Sequence, residues 1–136
     1  MTISNIKESP IKGLVGFGGG ATGLLQVGAA ADPTYVENVF STDIYIGNGT
    51  SGKAITNNIN LTDEGGMVWI KCRDSAGQNW VCVDTERGAS KYLQNNDDSQ
   101  EQTATNRQPA DGFTTTGFKV GTATSVNGNT KEYGSW

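Results

Sequence analysis

The chain has 136 residues, of which 35% are hydrophobic and 18% charged, with 19 glycines and a formal net charge of −4. That length allows one domain plus an arm, and so small an apolar share limits the chain to one modest core. The acidic balance provides no footprint for a phosphate backbone, and no apolar run approaches the ~18 residues of a membrane span, so neither nucleic acid nor a bilayer is an expected partner.

Residues 1–38 differ from the rest. They hold Pro10 and Pro33, the block Gly16-Phe17-Gly18-Gly19-Gly20 and the small-residue run Gly28-Ala29-Ala30-Ala31. Short apolar groups bracketed by glycine let backbones approach closely but bury little side-chain area. The segment is expected to be an extended Gly/Ala/Pro-containing arm that orders against a neighbour, with Ile6, Ile11, Leu14, Val15, Phe17, Leu24 and Leu25 as its partner-binding side chains. Its opening stretch lacks the apolar core of a signal peptide, which fits a protein made and kept in the cytosol.

Residues 39–136 read as strand, turn, strand. Thr42-Asp43-Ile44-Tyr45-Ile46 ends in Gly47-Asn48-Gly49-Thr50, and residues 54–61 alternate Ile55, Asn57, Ile59 and Leu61 before a turn at residues 63–66. The strongest pair is residues 67–73 with residues 78–84. Asp74-Ser75-Ala76-Gly77 joins them with turn chemistry that favours a positive-φ glycine. If Cys72 opposes Cys82, one face of this hairpin carries Val68, Ile70, Cys72, Trp80 and Cys82, and the other carries Met67, Trp69, Val81 and Val83 beside Lys71 and Arg73. Apolar on both sides, the hairpin is expected at the centre of a sandwich or against a neighbouring subunit, with Trp69 and Trp80 in the core. Residues 84–93 form a turn leading into a short strand. Residues 94–111 are almost free of apolar side chains and read as a surface loop. Order returns at Gly112-Phe113-Thr114, residues 117–121, Ser125-Val126-Asn127 and residues 132–136. Because Trp136 sits inside a strand-like run, the polypeptide is expected to continue beyond it. The fold class is therefore all-β: an antiparallel, jelly-roll-like β-sandwich at residues 39–136, expected to be cut short at its C-terminal end, after an arm at residues 1–38.

Chemistry is sparse. The chain contains no histidine, which removes the commonest general base, the Ser-His-Asp arrangement and the usual zinc ligand. Carboxylate pairs leave a glycosidase as the one enzyme class to weigh, through Asp63 with Glu64, Asp84 with Glu86, or Asp97 with Asp98. Each pair lies in a turn or polar loop, where Asp and Glu ordinarily serve solvation and turn hydrogen bonds. The glycine block lacks the Lys-Ser/Thr that completes a phosphate loop. Asn95, Asn96, Asp97 and Asp98 supply oxygens without the spacing of a calcium loop. Asp84, Arg87 and Lys91 are expected to fix a turn by ion pairing, and Cys72 and Cys82 to remain thiols. No catalytic residue, cofactor or metal site is expected.

The stretches IKESPIKGLVGFGGGATGL, GGMVWIKCRD, DTERGASKYL, GFKVGTATSVN and KEYGSW resemble the modules repeated in long fibre-like proteins of marine bacteriophages, particularly those infecting cyanobacteria. Together they cover most of the chain. Such modules look like polar β-sandwiches of the laminin-G and concanavalin-like kind. The resemblance implies a virion location and a non-enzymatic structural role: the head-proximal part of a tail fibre, anchored by its N-terminal arm. The partners it implies are tail or portal-proximal proteins and other copies of the chain, as a homotrimer. A carbohydrate-binding module for a host surface glycan and a capsid decoration protein are the alternatives. Residues 94–111 depart from the pattern, and the family would run on beyond Trp136.

Overall fold

The structure, a computed structural model, describes residues 35–136. The proposed arm contacts Ile6, Ile11, Leu14, Val15, Phe17, Leu24 and Leu25 lie outside the described residues.

A four-residue helix, α1 (Val36–Val39), buries none of its side chains and leads into β1 (Asp43–Ile46). There follow β2 (Lys53–Thr56), β3 (Met67–Cys72), β4 (Val81–Asp84), β5 (Lys91–Tyr92), β6 (Gln102–Thr103), β7 (Phe113–Thr114), β8 (Gly117–Val120), a second short helix α2 (Thr124–Asn127) and β9 (Glu132–Ser135). All strand pairs are antiparallel, in sheets ordered β1-β9-β3-β4, β2-β8-β7 and β5-β6. The described residues are thus an all-β sandwich.

Period-two patterning explains which side of each strand is buried. In β3 the inward positions are Val68, Ile70 and Cys72; in β1 and β9 they are Tyr45 and Tyr133; in β4 they are Val81 and Val83. These meet Ile55, Phe118 and Val120 of the second sheet in one cluster. Each fully buried aliphatic or aromatic side chain contributes roughly 1.5–3 kcal/mol.

Two polar devices close the core. Tyr45 and Tyr133 stack with ring centroids 5.0 Å apart, and their hydroxyls donate to Val126 O (2.7 Å) and Thr124 O (2.5 Å), seating α2 on the sheet. Burial pushes both phenols up, that of Tyr133 to about 12. Asn127, fully buried, donates from Nδ2 to Gly121 O and Thr50 O, each at 2.8 Å, while its Oδ1 accepts from Asn48 N at 2.9 Å. One amide thereby ties the β1–β2 loop to the segment after β8.

The β3–β4 hairpin forms, but its register differs from the expected one. Trp69 opposes Cys82 and Ile70 opposes Val81, so Cys72 and Cys82 are not partners. The odd-numbered slip turns every β4 side chain to the other face. It sends Val81 and Val83 inward, where two β-branched residues fill the core, and leaves Trp80 and Cys82 on the outer side with Trp69. Gly77 has the expected positive φ of 73°, yet the connection runs from Arg73 to Trp80. Residues 94–111 are also less loop-like than expected. Lys91 and Tyr92 pair with Thr103 and Gln102, and Gln108 is buried with its Nε2 donating to Gly112 O. Residues 54–61 end as strand at Thr56, because Asn58 takes φ 65° while Asn57 N and Asn58 N both donate to Thr116 O.

Candidate functional site: a tryptophan face on the outer sheet surface

Alternation on β3 that buries Val68 and Ile70 necessarily points Met67, Trp69 and Lys71 outward. On the neighbouring strand the chain reaches Trp136, which exchanges both backbone hydrogen bonds with Trp69, each 2.9 Å. The two indoles therefore share a row across the sheet. Gly134 makes room for this: a Cβ there would lie 3.3 Å from the Trp136 ring. Trp80, immediately before β4, completes the group, with ring centroids 5.0 Å from Trp69 and 5.7 Å from Trp136.

Val39 and Phe40, at the end of α1, close the other side. With Met67, Trp69, Trp80 and Trp136 they line an open cleft of about 520 Å³. Every lining side chain is apolar or aromatic. Phe40, Met67 and Trp136 are 56%, 57% and 41% exposed. Farther along the same face, beyond Gly134 and Glu132 of β9, Ile44 and Ile46 of β1 are also exposed. Apolar side chains gathered in one exposed cleft, unlike exposed apolar residues scattered singly, make this face the candidate site.

The charged groups of the face stand beside the cleft. Lys71 Nζ lies 5.7 Å from the Trp80 ring centroid and donates to Gln78 O, so its charge is held over the indole. Arg73 and Glu132 pair at 3.4 Å, both about half exposed, in a contact that water and salt largely screen. Trp69 Nε1 is buried with no hydrogen-bond partner among the described residues. Trp80 N donates to Asn96 Oδ1, Asn96 Nδ2 to Asn79 Oδ1, and Asn79 Nδ2 to Asp97. This chain of amides pins residues 94–97 beside the third tryptophan.

The other side chains singled out from sequence are dispersed. Asp63 accepts from Asn60 Nδ2, and Glu64 lines a polar cleft with Asn38, Asn58 and Asn60. Asp84 receives Arg87 Nε at 2.6 Å and Arg87 N at 2.8 Å, the turn-fixing pair expected; Lys91 pairs with Glu101 instead. Partial burial raises the Asp84 carboxyl, but Arg87's hydrogen bonds and charge outweigh this and hold it below the usual range. Hydrogen bonds from Ser99 lower Asp97 likewise. A glycosidase acid needs the opposite displacement. Cys72 and Cys82 are buried free thiols on opposite faces of the sheet, and burial pushes the Cys82 thiol up. Tyr92 is buried, and its hydroxyl donates to Gln102 Oε1. Among the described residues no three His, Cys, Asp or Glu side chains gather around a metal position. None of the described helices is long and apolar enough to cross a membrane.

Sequence reasoning named Trp69, Trp80 and Trp136 but assigned the first two to the core. It missed Val39, Phe40 and Met67. The available signal was parity: Met67, Trp69 and Lys71 share one side of β3, and the lysine marks that side as the outer one.

A family model described as Domain of unknown function (DUF7483) matches residues 36–136. The chain belongs to that family. No curated protein and no solved structure matches it. The matched span begins at the first residue of α1, so the cleft, from Val39 to Trp136, lies wholly within the DUF7483 domain.

Proposed function

We propose that this chain is a non-catalytic structural module of a bacteriophage virion, at the head-proximal end of a tail fibre, and that its tryptophan face clamps it to a protein neighbour in the particle. One observation carries the reading: three indoles, Phe40, Met67 and Val39 line one open cleft and supply no charged side chain and no polar group but the indole N–H to it. Burying such a face against a protein releases water from apolar surface at about 25 cal/mol per Å², a gain available only with an apolar counterpart. Aromatic residues and Met are the types enriched in protein interfaces. The lowered carboxyls of Asp84 and Asp97, and a sequence without histidine, suit a part that assembles better than one that turns over substrate. Residues 1–38 serve as the anchor to a tail or portal-proximal protein in this proposal.

A host glycan is the alternative occupant, since sugars stack on tryptophan. A saccharide entering this cleft would give up hydroxyl hydration with only the indole N–H groups as side-chain hydrogen-bond donors in return, and no carboxylate or amide among the lining residues. The amides nearest to Trp80 are already bonded to one another. The test is a chain carrying Phe40→Ser and Trp136→Ser, both exposed, so that the fold is retained by circular dichroism. Loss of the variant from purified particles supports the assembly role. Normal stoichiometry in particles, or wild-type binding on a glycan array that the variant loses, overturns it.

A further inference from the structure

Beyond the tryptophan face, the edge of the same sheet carries a second interaction surface. In the β1–β9 ladder Tyr45 faces Tyr133 and Asp43 faces Ser135, and the next backbone bond is Gly47 N to Lys131 O. Antiparallel ladders alternate hydrogen-bonded and non-bonded pairs. The odd-numbered residues therefore bond β9, and the N–H and C=O groups of Ile44 and Ile46 point away from it. The bonds from Trp69 N to Trp136 O and from Arg73 N to Glu132 O agree with this phase, since they leave the even-numbered β9 residues to β3. Neither Ile44 nor Ile46 has a backbone partner on its outward side among the described residues.

The opposite edge of the sheet is treated differently. There Cys82 N and O are both bonded to Leu93, which covers β4. Asp43–Ile46 contains no lysine, proline or bulge, three of the devices that guard an open edge, and its one charge, Asp43, stands at its start. Instead it presents Ile44 and Ile46, 69% and 62% exposed, on the outer face.

We propose that β1 pairs antiparallel with β1 of a second copy of this chain, about a two-fold axis at Tyr45, joining two four-stranded sheets into one of eight. The strand is complementary to itself in this register. Ile44 stands opposite Ile46 of the second copy, and each such pair exchanges two backbone bonds. The same two isoleucines meet side by side on the outer face, where cross-strand β-branched pairs stabilise a sheet. Asp43 stands opposite Gly47, so no like charges meet across the seam. The join also runs the apolar outer surface from one module into the next. A two-fold contact of this kind consumes the edge and closes. The proposal is thus a dimer, where a homotrimer was expected from sequence.

The test uses the full chain in sedimentation velocity across a concentration series. Twice the monomer mass is expected for the wild type. The double variant Ile44→Lys/Ile46→Lys is expected to be monomeric with its strand content retained by circular dichroism, because both positions are exposed and like charges would then oppose across the seam; its melting temperature loses only the concentration-dependent part that dimerisation adds. Register is read separately by oxidative cross-linking, with Ile44→Cys mixed with Ile46→Cys expected to give a covalent dimer and Ile44→Cys alone expected to give none. A wild type that stays monomeric or forms a trimer overturns the proposal. So does a dimer that survives the lysine variant, or Ile44→Cys cross-linking to itself.

Discussion

Asn127 offers the sharpest test of how the described fold is held together. Its carboxamide is fully buried and makes contacts at both ends: Nδ2 to Gly121 O and Thr50 O, and Oδ1 from Asn48 N. Truncation by Asn127→Ala affects these partners unequally. Thr50 and Asn48 are exposed residues whose backbone groups can turn to water, while Gly121 is buried and its carbonyl cannot. One orphaned buried acceptor costs roughly 1–3 kcal/mol, and the lost contacts of the side chain add to it, so a total of about 2–4 kcal/mol is expected. For a domain of this size that lowers the melting temperature by roughly 10–25 °C. In urea the midpoint should fall while the slope is unchanged, because the surface exposed on unfolding stays the same.

Asn127→Asp separates hydrogen bonding from shape. The new carboxylate would face the two carbonyl oxygens that Nδ2 now serves, so its folded pKa would rise above the unfolded value of about 3.9. A group raised on folding contributes fully below its unfolded pKa and loses that contribution as pH rises. The stability difference between Asn127→Asp and wild type should therefore be smallest near pH 4 and grow toward pH 7. Equilibrium urea unfolding at both pH values is the measurement. A loss below about 1 kcal/mol for Asn127→Ala, or a pH-independent difference for Asn127→Asp, would refute the assignment of Asn127 as the amide that ties these segments together.

Two further outcomes follow from groups already placed. The Asp84 carboxyl is lowered on balance, so its pairing with Arg87 stabilises the fold above the unfolded aspartate pKa of about 3.9 and is lost as pH falls through the lower folded value. Arg87→Met should remove that part of the acid limb, leaving a shallower decline of the urea midpoint between pH 4 and 2; an unaltered limb would show that the pair carries no linkage. Cys72 and Cys82, both buried and on opposite sheet faces, should resist a thiol reagent in the native chain and react together on unfolding. An internal disulfide found under mild oxidation would contradict the β3–β4 register.

Much of the fold was legible because local chemistry and tertiary structure agree. The β3 and β4 strands, the Gly77 turn, the Phe113–Val120 hairpin and the Asp84–Arg87 contact all carry a local signal: a β-rich run, a positive-φ glycine, an acid three residues before a base. Register was not legible. Met67, Val68, Trp69 and Ile70 are all apolar, so Lys71 alone marks the outer side of β3, and nothing local to residues 80–83 says whether Val81 and Val83 or Trp80 and Cys82 share the inner side with Val68 and Ile70. The β5–β6 pairing was hidden because each strand has two residues and Gln102 and Thr103 are polar. Asn127 gave no signal either, since nothing local distinguishes the buried asparagine from its exposed neighbours in so asparagine-rich a chain. The apolar cleft was half visible: its tryptophans stand out in the sequence, while Val39 and Phe40 reach it only through the path of α1.

The same strands that build the core also build the face, and this makes recognition and folding separable. On β3 the core takes Val68, Ile70 and Cys72 and the face takes Met67, Trp69 and Lys71; on β9 the core takes Tyr133 and the face continues to Trp136. The inner set is satisfied within the described residues, because the phenols that enter it bond Val126 O and Thr124 O. The outer set has no such closure. Its aromatic rings contact one another while Phe40, Met67, Ile44 and Ile46 remain in water. A strand pattern that spends large apolar residues on both sides, with only one side covered, costs solubility unless a partner takes up the second side. The outer rows therefore suit the assembly proposed above, while the core of the sandwich closes without them.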